Sequence, residues 1–341
     1  MNADGFFSLV KLKSLLPFEK KVLFALVSCG IEADSVSEKS PLGVAVSGGA
    51  DSVSLLRSLA EIFPSDLLRV ISVDHGIRSK KESGGDAAFV ADLCKKLGLP
   101  CTVFKIESGK IIKIAKTEKK SVEAVARAFR YEAFESFIKA ENLDFLCLAH
   151  NQNDQCETLL MRFLQGSGIE SSGGIERVRG KYVRPLLDIP RAEIEAYLIE
   201  KNQAWCTDST NSDTAYVRNK IRSVLVPVLD ENFIGWQSAV LAGAKKSAVD
   251  EAFLDSCVYT AQKNAHLLET PELLQQANEV KVSRKHFYSL HDSLKRRVFF
   301  SALNKSGFGE RFPFRLFEKI TSWSDKKEQN LSFENVKISL D

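Results

Sequence analysis

The 341-residue sequence is short of several things, and each shortage closes off a class of protein. Its seven cysteines (Cys29, Cys94, Cys101, Cys147, Cys156, Cys206 and Cys257) are odd in number, scattered and never spaced C-x-x-C. That pattern argues against a disulfide framework, a zinc finger and an iron–sulfur motif. No apolar run approaches the roughly 20 residues of a membrane-spanning helix. The opening MNADGFFSLVKLK puts an acid before its first base and does not read as a secretory signal. A reducing cytoplasm, with no membrane partner, is the expected location. Charge of one sign is lacking too: 47 basic and 44 acidic side chains leave only +3, so the molecule as a whole does not announce a polyanion partner. Two common nucleotide motifs are missing. No G-x-x-x-x-G-K-[ST] occurs, and Gly166-Ser167-Gly168 lacks the third glycine of a dinucleotide fingerprint.

What is present is an alternation of short apolar runs and longer amphipathic ones. Candidate strands are Leu42–Val46, Leu67–Val73, Cys101–Ile106 and Leu143–Ala149; candidate helices are Asp51–Phe63, Glu82–Leu97, Ser121–Ala140 and Asp154–Leu164. This predicts an α/β fold, a Rossmann-like parallel sheet with helices on both faces, followed by a smaller and mainly helical domain. The expected divisions are a helical lead-in over 1–40 (helix Leu15–Cys29), a catalytic domain over 41–225 and a helical domain over 226–341. Residues 231–305 read as helical, and Leu331–Leu340 returns to strand. Ligands of such sheets bind beyond the carboxyl ends of the strands, so chemistry is expected just after Val46, Val73, Ile106 and Ala149. Basic residues cluster in two places. Residues 110–120 (KIIKIAKTEKK) carry five lysines against one glutamate, and 281–297 carries six basic groups against Asp292. Such runs suit a phosphate backbone or simply a solvated helix face.

After the first strand comes Ser47-Gly48-Gly49-Ala50-Asp51-Ser52. Glycines allow a tight turn and bare N–H groups, and a following helix adds its positive end, so the segment predicts a phosphate cradle. A plain strand–turn–helix with Ser47 or Asp51 as its cap is the structural alternative. Asp51 repels phosphate and makes sense only beside a cation or a proton-bearing substrate. After the second strand stands Val73-Asp74-His75-Gly76-Ile77-Arg78. After the fourth stands His150-Asn151-Gln152-Asn153-Asp154-Gln155-Cys156-Glu157, with Asp154 and Glu157 three apart on one helix face. The bland reading of that pair is a capping box led by Asp154.

The Ser47–Ser52 loop resembles the S-G-G-x-D-S pyrophosphate loop of the ATP-pyrophosphatase (PP-loop) superfamily. With Arg130-Tyr131, Tyr182–Leu187, Asp208–Asn211 and Tyr216–Arg222, roughly residues 40–230 resemble the tRNA(Ile)-lysidine synthase family. That resemblance implies ATP-dependent attachment of free L-lysine to C2 of the wobble cytidine in a CAU-anticodon isoleucine tRNA, through an adenylated cytidine, with AMP and pyrophosphate released. It implies ATP and Mg2+ as cofactors, held by Ser47, Gly48, Gly49, Ala50, Asp51 and Ser52, with Val73 and His75 near the adenine. It implies Asp51, Arg130, His150, Asp154 and Glu157 as catalytic residues, and Asp51 and Asp154 as metal ligands. Arg218, Arg222, Lys295, Arg296 and Arg297 are the expected tRNA contacts. The chain departs from the family in having Asn151 and Asn153 where a His and an acid are common. It also ends where longer members carry a further C-terminal domain. Three rivals stay open: another PP-loop enzyme that thiolates tRNA, an ATP-dependent amidating enzyme for a small metabolite, and a catalytically silent tRNA-binding protein that retains the nucleotide fold. The sequence leaves monomer and homodimer equally open.

Overall fold

The computed structural model describes residues 14–32, 35–76, 83–166, 173–207, 217–264, 284–305, 313–323, 329–333 and 336–340. Ile77, Arg78, Glu82, Ser167, Gly168, Asp208–Tyr216, Leu273 and Lys281, all of which bear on the sequence reading, lie outside them. The chain divides into two compact units, Met1–Ala244 and Lys245–Asp341.

The first unit runs α1 (Pro17–Ser28), β1 (Leu42–Ala45), α2 (Ala50–Ile62), β2 (Leu68–Asp74), α3 (Ser83–Leu97), β3 (Cys101–Lys105), α4 (Lys110–Glu118) and α5 (Val122–Ala140). It continues with β4 (Leu146–Cys147), α6 (Gln152–Leu164), β5 (Val178–Arg179), β6 (Tyr182–Val183), α7 (Arg191–Glu200), α8 (Val217–Lys220), a π-helical turn (Ile221–Leu225) and α9 (Val226–Asn232). The sheet order is β3-β2-β1-β4-β6-β5. Every pairing is parallel except β5 with β6. β1 and β4 read as apolar without alternation because helices cover both faces of a parallel sheet.

One layer packs Val22, Leu23 and Leu26 of α1, Leu55, Leu56 and Leu59 of α2, and Ile194 and Leu198 of α7 into a single cluster with β1. The other face carries Phe134, Phe137 and Ile138 of α5 against Ile71, Leu146 and Leu148. Fully burying such side chains contributes about 1.5–3 kcal/mol each. Glu19, 1% exposed, is the exception in kind: it accepts from Tyr197 Oη at 3.0 Å and pairs with Lys201 at 2.7 Å, pinning α1 to α7.

Two local differences from the sequence reading have physical causes. The lysine run 110–120 forms its own helix because Ile111 and Ala115 supply a buried stripe; Lys119 then adopts a left-handed conformation (φ 52°) and Ser121 caps the next helix through Ala124 N–H. The strands β5 and β6 have no counterpart among the expected strands, because two-residue strands carry no period.

In the second unit α10 (Trp236–Asn264) crosses the division, followed by α11 (Arg284–Ser289), α12 (Asp292–Lys305), α13 (Phe314–Thr321) and the antiparallel pair β7 (Gln329–Phe333) and β8 (Val336–Leu340). Its own core gathers Phe287, Leu303, Phe317, Ile320, Trp323 and Leu331.

Candidate active site at the carboxyl ends of β1 and β4

β1 and β4 are neighbours at the middle of the sheet, where the strand order changes direction. Crevices at such switch points are where α/β sheets bind ligands. β1 ends at Ala45, and Val46 to Gly49 turn the chain into α2. Gly48 takes φ +93°, which an L side chain rarely adopts, and a Cβ there would lie 3.3 Å from Cys206 Sγ. Gly49 occupies the N-cap position and no side chain caps the helix. Ser52 Oγ donates to Gly49 O at 2.9 Å and accepts from Ser47 N–H at 3.1 Å, so both serines fold around the turn rather than over the helix end. The first amides of α2 are left for an anion.

Asp51 projects from the first turn of α2. Its Oδ1 accepts from Asn151 Nδ2 at 2.7 Å and its Oδ2 from Arg191 Nη1 at 2.5 Å. Burial pushes its pKa up, Arg191 and Asn151 pull it back, and Asp154 pushes it up again. The cation that the sequence demands beside Asp51 is thus a guanidinium already in place. Arg191 is the site residue that sequence reasoning missed. Its backbone N–H also donates to Asn153 Oδ1 at 3.0 Å, and its Nε to Glu195 at 2.7 Å.

At the neighbouring strand end, Asn151 rather than Asp154 is the cap of α6. Asn151 Oδ1 accepts from Asp154 N–H, and Asp154 Oδ2 accepts from Asn151 N–H, each at 3.0 Å. Extended backbone at Asn151 (φ −112°, ψ −178°) is what an N-cap requires. Asp154 and Glu157 do share a face, and two arginines meet them there. Arg218 donates to Asp154 Oδ1 at 2.9 Å and to Glu157 Oε2 at 3.0 Å. Arg222 donates to Glu157 Oε1 at 2.6 Å. Glu157 is buried to a side-chain exposure of 5%, and two guanidiniums offset the cost of burying its charge. Arg222 sits in the π-helical turn, a local unwinding common at functional sites.

A third group flanks these two. His75, just after β2, accepts from Arg130 of α5, with Arg130 Nη2 at 3.2 Å from Nε2. Burial lowers the Arg130 pKa, with Arg127 adding to the effect. Gly76 (φ +58°) is tight against the end of β3, since a Cβ would meet Ile106 O at 2.6 Å. Val73 lies within β2 beside this group. His150 Nδ1 accepts from Arg184 Nε at 3.3 Å, and burial lowers its pKa to about 4 against the pull of Asp154. A histidine so placed is neutral near pH 7, with its proton on Nε2.

Asp51 and Asp154 are linked through Asn151 and present carboxylate oxygens, the donor type Mg2+ takes. Among the described residues no group of three or more His, Cys, Asp or Glu side chains forms a metal cage. Such a set fits an ion held by one or two carboxylates together with substrate phosphates where the ion takes the place of Arg191 on Asp51 and of Arg218 on Asp154.

Of the expected tRNA contacts, Arg218 and Arg222 join the carboxylate cluster. The remainder stand in the second unit. Arg297 has both Nη atoms on Glu251, at 2.5 and 2.7 Å, and is 9% exposed. Lys295 pairs with Asp292 at 2.9 Å, and Arg296 is half-buried.

A family model described as a PP-loop domain matches residues 19–229, well over half the chain. The chain belongs to that family. Among curated relatives, the tRNA(Ile)-lysidine synthase of Treponema denticola is 37% identical over 91% of this chain and 66% of its own length. The tRNA(Ile)-lysidine synthase of Clostridium perfringens is 33% identical over 83% of this chain and 59% of its own length. The chain therefore spans about two thirds or less of the relatives it matches. A solved structure, the U34-tRNA thiolase NcsA from Methanococcus maripaludis with its [4Fe-4S] cluster, superposes with a TM-score of 0.54 over 72% of this chain and 80% of that one, at 19% identity. That likeness bears on the fold alone. No helix among the described residues is long and apolar enough to cross a membrane.

Proposed function

We propose that this PP-loop protein joins free lysine to C2 of the wobble cytidine in the CAU anticodon of an isoleucine tRNA, consuming ATP. Cytidine O2 attacks the α-phosphorus; the O2–P bond forms as the bond to pyrophosphate breaks, and pyrophosphate leaves. Lysine Nε then attacks C2, the C2–O2 bond breaks, and O2 departs with AMP. One arrangement supports the reading. An uncapped helix N-terminus lies next to Asp51, and Asn151 ties Asp51 to the Asp154–Glu157 face.

In this reading Ser47 to Ser52 hold the phosphates, with Val73 and His75 at the adenine. Arg130 offsets charge at the transition state. Magnesium, held by Asp51 and Asp154 with the phosphates, would supply charge neutralisation. Lysine arrives protonated, since its reference pKa is near 10.4. Asp51, whose proton affinity burial raises, is assigned as the base that orients and deprotonates it, with Asp154 as the second candidate. His150, neutral and bonded to Arg184, is assigned to the cytidine side.

A methionine tRNA can carry the same anticodon, so the tRNA body must also be read. The 281–297 tract is assigned to that task. Lys295 and Arg296 are its probes, because removing Arg297 would break a buried pair with Glu251. The thiolation rival needs a sulfur carrier. Cys206, beside the phosphate loop, has its thiol pushed up to about 11 by burial and Asp86, which keeps it protonated and poorly nucleophilic.

The test supplies labelled lysine and ATP with either the CAU isoleucine tRNA or the methionine elongator tRNA. Label in the first alone, with AMP and pyrophosphate in equal amounts, is expected. Nucleotide cleavage without lysine transfer would return the protein to its rivals.

A further inference from the structure

We infer that the exposed lysine face of α4 docks the phosphate backbone of the RNA, on either side of the base that enters at Arg130. The inference rests on the proposed RNA substrate and gives it a docking surface.

The helix is two-sided. Ile111 and Ala115 are buried against Val125 and Ala126 of α5, with Ile106 closing the cluster. Lys110, Lys113, Lys116, Lys119 and Lys120 are all exposed on the opposite side or just past the end. Helix stability accounts for only part of this. Lysines in the last turn, such as Lys116, favour the negative end of the helix dipole. Lys110 and Lys113 stand at the positive end, where cations are disfavoured and the first turn carries no acid. Lys110 lies over the Phe129 ring at 5.1 Å. Glu118, the acid of this helix, is engaged by Lys120 at 2.7 Å. Lys119 also holds φ 52°, a conformation in which glycine or asparagine is cheaper. A strained non-glycine residue within a charged stripe points toward use rather than packing.

The stripe is attached to the site from two directions. The helix that α4 packs on carries Arg130, and Arg127 lies one turn before it, exposed, its guanidinium 4.8 Å from the Tyr131 ring. Gly109, the cap of α4, donates to Gly76 O at 3.4 Å, next in sequence to His75. A polyanion whose base reached Arg130 would pass its neighbouring phosphates beside these lysines.

The experiment uses the full chain with Lys113, Lys116 and Lys119 all changed to Gln, neutral residues that keep helix propensity. A second variant changes all three to Arg. Binding of the CAU isoleucine tRNA is measured as a function of salt. Each lysine–phosphate pairing removed lowers the slope of log K against log salt by about 0.7–0.9. The Gln variant is therefore expected to flatten the slope by about 2, to bind roughly 100-fold more weakly at 0.1 M salt, and to keep the wild-type thermal midpoint; the Arg variant is expected to restore binding. Wild-type slope and affinity in the Gln variant would overturn this surface while leaving the proposed function intact. If the unaltered protein binds no tRNA, the functional reading falls and this surface falls with it.

Discussion

The amino termini of α2 and α6 stand at neighbouring strand ends, yet one is open and the other sealed. Gly49 leads α2 with no capping side chain, whereas Asn151 and Asp154 close α6 reciprocally. The open end has free amides and suits an anion. The sealed end has spent its amides internally, and the carboxylates of α6 turn outward to hold Arg218 and Arg222. An anion pole and a cation pole thus sit side by side, with Asn151 bonded across them to Asp51. The proposed reaction, in which ATP adenylates a cytidine and an ammonium-bearing lysine then displaces AMP, would use both poles, and the difference between two helix caps creates them.

The largest expected effect comes from removing the charge where the poles meet. Asp51→Asn keeps acceptor and shape for Arg191 and should retain the fold. Turnover should fall about 100- to 10,000-fold, the range for a lost general base. Lysine transfer and pyrophosphate release, read separately, show which half-reaction fails; near-wild-type transfer would remove Asp51 from the proton path. The second effect comes from making the open end resemble the sealed one. At Gly49 φ is −71° and an added Cβ would have only an ordinary 3.8 Å approach to Ser47 Oγ, so a side chain fits. Gly49→Asp should cap α2 and stabilise the protein by about 0.5–1 kcal/mol in urea unfolding. The same carboxylate should weaken ATP binding at least about tenfold by calorimetry, since it places a like charge where the phosphates would sit. Unchanged ATP affinity would mean that the nucleotide phosphates lie elsewhere.

How much of this is legible in the sequence follows from range. The Ser47–Ser52 turn, the strand–helix alternation and the shared face of Asp154 and Glu157 are local, set by residues within one or two turns of each other. Arg191 is not: it follows Pro190 at an ordinary helix start and meets Asp51 across 140 positions. Arg218 and Arg222 read as surface bases ready for RNA, because a sequence does not show that two acids some 60 positions earlier face them. The choice of cap is closer to hand. Asn151 and Asp154 are both good caps by residue type, and composition alone does not rank them. What decides between them is the extended backbone that the chain adopts on leaving β4, where Gln152 N–H is already held by Ile189 O at 3.1 Å.

The smallest effect comes from opening the sealed end. Asn151→Ala deletes the side chain that caps α6 and, with the same atoms, the Nδ2 donor to Asp51. Loss of an N-cap costs about 1 kcal/mol, within a range of roughly 0.5–2. Asn151 is 3% exposed, so water cannot readily replace it, and the upper half of that range is expected in urea unfolding. Asp51 would keep Arg191, so nucleotide binding at α2 should change little. If the loss is confined to stability, the two ends act independently and Asn151 is only a cap. If lysine transfer also falls while ATP affinity holds, Asn151 couples the poles. A double variant with Gly49→Asp separates these outcomes: independent ends give stability changes that add within about 0.5 kcal/mol, and coupled ones do not.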